Sequence, residues 1–278
     1  MGHCTTRELG EALIRVDGRL LAVEVTGHGP LTVVLETGLG AESAEWAPVQ
    51  RQVEAFARVF RYDRAGRGAS DPAPGPRTAM EMIGDLHELL GRTAPPPYLL
   101  VGHAFGGLLM KLYAACFPRE VAGLLLVDPM HENQFEVFAA KFPRRTAYEA
   151  PELTVMRWFW TDGWRHPSST PETIDLMESL WQCREAATLG DLPMTLLAAG
   201  TGRVSDFAPL EDRSALQELW RGLHRQTAGV STRSRIASAP LSDHFIQRHD
   251  PQAIVEEIRS LAAAVTREPA RQTVLATT

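Results

Sequence analysis

VGHAFGG, residues 101–107, decides how this chain is read. It follows the apolar pair Leu99 and Leu100 and opens a helical pattern over 104–116. Glycines at 102, 106 and 107 mark a strand that turns sharply into a helix, where neighbouring backbone comes too close for larger residues. The spacing is that of G-x-S-x-G, a turn that exposes a nucleophilic serine at its apex. Here the apex is Ala104, flanked by His103 and Phe105. A methyl group attacks nothing, so the meaning of the turn depends on what the rest of the chain brings to it.

Outward from this turn, short apolar runs alternate with longer helical patterns. ALIRV (12–16) and LLAVEV (20–25) flank Asp17-Gly18, a hairpin signal. LTVVLE (31–36), VFRYD (59–63), YLLVG (98–102), VAGLLLVD (121–128) and MTLLAAG (194–200) read as strands, and STRSRIASA (231–239) as a weaker one. Helical spacing covers 44–57, 78–91, 104–116, 211–227 and 250–264. Such alternation predicts right-handed crossovers and a largely parallel sheet. Ligands of such sheets gather beyond the carboxyl ends of the strands.

At 278 residues the chain can hold one large domain with a small insertion. A net charge of −6, with only two lysines and scattered arginines, speaks against a nucleic-acid partner. No segment approaches the ~20 apolar residues of a membrane span, and the first residues lack a signal-peptide core. A cytoplasmic enzyme or binding protein is expected. Cys4, Cys116 and Cys183 have neither disulfide nor zinc spacing, and Cys116 is expected to be a buried helix thiol.

Five segments, LETGLG (35–40), YDRAGRGAS (62–70), VGHAFGG (101–107), VAGLLLVDPMH (121–131) and SDHFIQRHDP (242–251), carry a family resemblance. In order and spacing they resemble the α/β-hydrolase fold superfamily along nearly the whole chain. The resemblance implies an α/β fold with a mostly parallel central sheet flanked by helices. Residues 1–130 and 191–278 would form the core domain, and 131–190 a helical cap inserted after the strand ending at Asp128.

It also implies roles. Ala104 occupies the nucleophile position. His244, after the last strand, is the expected base, ahead of His131 and the other histidines, which are expected to be solvated or capping. The acid that orients the base is Asp128, at the end of LLLVD, with Asp206 in reserve. Arg203 stands where the commoner acid would be. Backbone N–H groups of Phe105 and Leu39 would hold the oxyanion, although Thr37-Gly38 replaces the histidine-glycine pair common in relatives. Asp63, Arg64 and Arg67 are read as structural.

The stretch 131–190 is rich in aromatic residues, among them Phe135, Phe138, Phe142, Tyr148 and Trp181. Met130, Trp158, Trp160 and Trp164 are expected to line an apolar pocket for a small hydrophobic ester or lactone. No metal or organic cofactor is implied. Alanine at 104 has three explanations: an engineered Ser→Ala change, a natural loss leaving a binding protein, or a nucleophile elsewhere. The intact partners favour the first. Two further readings stand beside an ester or lactone hydrolase. One is a pseudo-hydrolase that binds a hydrophobic ligand. The other is a cofactor-independent lyase or oxygenase using His244 and Asp128 as a base.

Overall fold

The computed structural model describes residues 10–141, 151–186, 188–200 and 210–267. Eight strands form one sheet in the order β1-β2-β4-β3-β5-β6-β7-β8. They are β1 (Glu11–Val16), β2 (Arg19–Thr26), β3 (Thr32–Glu36), β4 (Arg58–Tyr62), β5 (Tyr98–His103), β6 (Val121–Val127), β7 (Met194–Ala199) and β8 (Ser234–Ala239). β1–β2 and β2–β4 pair antiparallel, and every other neighbouring pair is parallel. Asp17 and Gly18 both take positive φ, 44° and 79°, which joins β1 to β2 as the hairpin signal predicts.

β3 and β5 are buried at every position, as expected of central strands covered on both faces. One face carries α2 (Ala79–Thr93) and α3 (Phe105–Cys116), whose apolar side chains pack on Val34, Leu100 and Leu124. The other carries α1 (Ala47–Val53) and the closing helix, whose residues Ile254, Val255 and Ile258 pack on Val33, Leu35 and Val101. α2 opens with a full capping box, Thr78 and Glu81 satisfying each other's backbone N–H.

Between β6 and β7 the chain passes through α4 (Gln134–Ala139), α5 (Pro151–Thr161), two 3₁₀ turns (Gly163–Arg165 and Pro167–Ser169) and α6 (Leu176–Glu185). α5 has no buried residue. Residues 171–175 are tied to the core: Arg77 N–H donates to Thr173 O at 3.0 Å, and Asp175 N–H to Arg77 O at 2.9 Å. After β7 come α7 (Leu210–Ala228), then β8, α8 (Ile246–His249) and α9 (Pro251–Arg267). Cys116 is exposed, contrary to expectation, because it lies in the last turn of α3 beyond the fully buried stretch 105–114. Among the described residues no helix is long and apolar enough to cross a membrane.

Candidate active site

β3, β5, β6, β7 and β8 run parallel, so their carboxyl ends share one edge, and the candidate residues collect there. Ala104 follows β5 directly and is 7% exposed. Its backbone is strained, with φ 50° and ψ −116°. The turn is held from all sides. Ala104 N–H donates to Val127 O at 3.1 Å, and Ala104 O accepts from the N–H groups of Gly107 and Met130. A Cβ at Gly106 would stand 2.4 Å from Thr37 O, so only glycine admits this approach of α3 to the 37–40 loop.

Asp128 ends the neighbouring strand, also with positive φ (39°), and its carboxylate is fully engaged. Oδ2 meets His244 Nδ1 at 2.7 Å. Oδ1 accepts from Ala199 N–H at 3.1 Å and from the Trp220 indole N–H at 3.4 Å. His224 Nε2 lies 3.6 Å from the same oxygen. Burial would raise the Asp128 pKa, but the His244 hydrogen bond, followed by the charges of His244 and His224, outweighs it and holds the group at about 2. Asp128 is therefore an anion at neutral pH, and it fixes Nδ1 of His244 as the protonated nitrogen. Nε2 is left as the basic one.

The rival histidines are otherwise occupied. His103 is buried, not solvated: its Nε2–H donates to the His244 carbonyl at 2.9 Å, and Nδ1 accepts from the Gln247 amide at 3.2 Å. Burial, then the charge of His244, lowers its pKa to about 3, so it carries no charge at neutral pH. His131 accepts from Asn133 N–H through Nδ1, and its own N–H meets Gln134 Oε1 at the start of α4, a capping role. Asp206 lies outside the described residues.

The 37–40 loop is braced by Arg64, whose guanidinium meets Glu36, Glu172 and the carbonyls of Thr37 and Gly38. Burial works against the charge of Arg64, but Glu172 and Glu36 outweigh it and keep the guanidinium protonated. Asp63 accepts from the N–H groups of Ser43 and Ala69, which agrees with a structural reading of the YDRAGRGAS loop.

Met130, Trp160 and Trp164 join one apolar cluster with Leu39 and Phe105, the two residues expected to supply oxyanion donors. Trp164 stacks on Phe135 at 5.0 Å and 8°. Its indole N–H is buried and unpartnered among the described residues. Trp158 stands outside this cluster. It is 45% exposed and packs against Gly163 and the ring of His166. A short helix turns one face inward, and α5 presents Trp158 on the other.

Three residues at the site were missed from sequence. Trp220 and His224, four apart on α7, face Asp128 together, and His224, expected to be solvated or capping, is instead buried there; their spacing was a visible signal, but its direction was not. Glu172, in a polar run, carried no signal.

A profile of the alpha/beta hydrolase family matches residues 28–258, a span that holds Ala104, Asp128 and His244. The uncharacterized protein YqjL of Bacillus subtilis (strain 168) is 27% identical over 252 residues, 88% of this chain and 88% of that protein. A putative carbamate hydrolase, RutD of Variovorax paradoxus (strain S110), is 41% identical over 106 residues, 36% of this chain and 40% of its own. Among solved structures, the enol-lactonase of Burkholderia xenovorans LB400 superposes with a TM-score of 0.65 at 19% identity, covering 91% of this chain and 100% of that one. A probable hydrolytic enzyme of Pseudomonas aeruginosa PAO1 gives 0.62 at 18%, covering 90% and 93%. With the strand order, the strained turn after β5 and the Asp128–His244 pair in their places, the chain belongs to the alpha/beta hydrolase family.

Proposed function

We propose that this site is built to open a carboxylic ester or lactone with a bulky apolar group by acyl-enzyme chemistry, and that Ala104 removes the attacking oxygen. The observation that carries the reading is the Asp128–His244 pair at 2.7 Å beside a strained turn at the end of the adjacent strand. In an Ala104→Ser variant the hydroxyl attacks the carbonyl and its proton passes to His244 Nε2. Asp128 holds the imidazolium that forms. N–H groups of Leu39 and Phe105 receive the oxyanion. The alcohol leaves with the proton from His244, and water, activated by the same nitrogen, releases the acid. Residues 131–190 act as a cap that excludes water, with Met130, Trp160 and Trp164 lining the apolar side. The reading is in keeping with the names of two similar proteins, an enol-lactonase of the same fold and a putative carbamate hydrolase. As it stands, the chain binds such a ligand with almost no turnover.

The missing hydroxyl favours a second reading, in which His244 takes a proton directly from a bound substrate. The test separates them. Ala104→Ser is expected to gain hydrolysis of short aryl esters or lactones by a factor on the order of 10⁶ and to be labelled by a fluorophosphonate. No gain and no labelling, with turnover or tight binding by the parent chain, would give the site to the second reading or to a pure binding protein.

A further inference from the structure

One buried cluster has no part in proton transfer, yet it touches the 37–40 loop beside Ala104. Glu172 comes from the segment between β6 and β7, and its side chain is 1% exposed. Its Oε1 accepts from Gly40 N–H at 2.7 Å and from Arg64 Nη2–H at 2.7 Å, and its Oε2 accepts from Arg64 Nε–H at 2.6 Å. Arg64 in turn donates through Nη2 to Gly38 O at 2.7 Å and through Nη1 to Thr37 O at 2.8 Å. The side chain of Pro171 lies against Gly40.

These bonds fix the two peptide planes on either side of Leu39. In a trans peptide the carbonyl and the next N–H point in opposite directions. With Gly38 O drawn to Arg64, the Leu39 N–H must point away from Arg64. The following plane is fixed by its own N–H, from Gly40 to Glu172. Gly38 itself sits beside the turn: a Cβ there would be 3.5 Å from the Ala104 methyl. We infer that Glu172, through Arg64 and Gly40, is a positioning residue that aims the Leu39 N–H, so that the segment between β6 and β7 completes the oxyanion hole. The inference rests on the proposed role of that N–H.

A tether alone would not need this carboxylate. Residues 171–175 are already seated on the core by the two backbone bonds to Arg77. Glu172→Gln keeps the shape but turns an amide NH₂ toward Arg64 or Gly40, setting donor against donor. The segment should stay in place while the loop loosens.

Two measurements decide it. The first is amide hydrogen exchange of residues 37–41 in Glu172→Gln and in the parent chain, which needs no catalytic activity. Exchange at Gly40, whose N–H bonds to Glu172, and at Ala41, whose N–H bonds to Gly38 O at 3.3 Å, should rise on the order of tenfold or more, with β3 and β5 unchanged. Unchanged exchange in the loop, with or without a lower Tm, would overturn the inference. The second adds Glu172→Gln to the Ala104→Ser background. There kcat should fall on the order of tenfold or more with KM held, as for a weakened oxyanion donor. A raised KM with kcat held would overturn it. Should Glu172→Gln not fold, Glu172→Asp keeps the charge but withdraws it by one methylene, and the same exchange is read there. An inert Ala104→Ser variant would sink the proposed hydrolysis and leave the exchange result to judge the brace.

Discussion

Protonating His103, next to the apex of the turn, should cost the fold stability. His103 is 2% exposed, and both ring nitrogens are committed: Nε2–H to the His244 carbonyl and Nδ1 to the Gln247 amide N–H. An added proton would land on Nδ1 and face a donor. Burial, then His244, lowers the pKa from 6.5 to about 3, while the His244 carbonyl and Asp128 oppose this only in part. The folded value lies below the unfolded one. His103 therefore contributes stability that is complete above pH 6.5 and drains away as the pH falls toward 3. Between pH 7.5 and 4.5 the unfolded chain binds a proton that the folded chain refuses, a loss of about 2.7 kcal/mol at 1.36 kcal/mol per unit. His103→Gln keeps a donor for the His244 carbonyl and cannot titrate. Urea unfolding of parent and variant at pH 7.5, 6.5, 5.5 and 4.5 should show the variant gaining about 2.7 kcal/mol relative to the parent across that range. His131 and His224, whose pKa values burial also lowers, act equally in both chains and cancel in the difference. Parallel loss of stability in the two chains would refute the reasoning, because it would mean His103 accepts its proton without leaving the fold.

Asp128→Asn, placed in the Ala104→Ser background, should lower kcat on aryl esters by about 10⁴, since an amide no longer dictates which His244 nitrogen is protonated. A loss under about tenfold would move the acid elsewhere, Asp206 first. Trp164→Phe keeps the stacking on Phe135 but deletes the unpartnered indole N–H. Equilibrium binding of an intact ester to the parent and the variant should show Kd rising about tenfold with stability held within about 1 kcal/mol; lower stability at unchanged Kd would make Trp164 a packing residue only. Gly106→Ala would put a methyl 2.4 Å from Thr37 O and 2.7 Å from Glu36 O, both backbone atoms. It should cost about 2–3 kcal/mol in urea unfolding, and a neutral result would contradict the close approach of α3 to the 37–40 loop.

What the sequence disclosed follows from how local each feature is. The hairpin over 11–26 needs only Asp17-Gly18, whose positive φ values belong to one kind of turn. The turn at 102–107 needs only its glycines. Asp128 and His244 stand 116 residues apart, yet their meeting was legible from the family resemblance, in keeping with a parallel sheet that delivers every strand's carboxyl end to the same edge. Glu172 was not legible. It meets Arg64 across 108 residues and from a loop, where no periodicity fixes which way a side chain points. The aromatic run 158–164 announced burial but not its direction. α5 sends Trp160 toward Phe135 and leaves Trp158 in solvent. Cys116 follows the apolar face of α3 in spacing, but it lies in the helix's last turn, past the buried stretch 105–114, where its sulfur meets only the edge of α2 at the exposed Met80.

The backbone at 104 bears on why one substitution can test so much. Ala104 and Asp128 are both held at positive φ, an arrangement that costs on the order of 1–3 kcal/mol for each residue without glycine's freedom. If residue 104 were only a link between β5 and α3, glycine would relieve its share of that cost. Alanine keeps a Cβ, and the surroundings fix where that Cβ points: Val127 O takes its N–H, Gly107 and Met130 hold its carbonyl, and Gly102 and Gly106 admit the close backbone contacts. None of these constraints involves the side chain at 104. A serine there meets the same backbone and adds one oxygen along the same bond. Ala104→Ser therefore changes the chemistry of the apex without changing its aim. The rate it produces then reports on the alignment of His244, Asp128 and the Leu39 loop, all set by residues that the substitution leaves untouched.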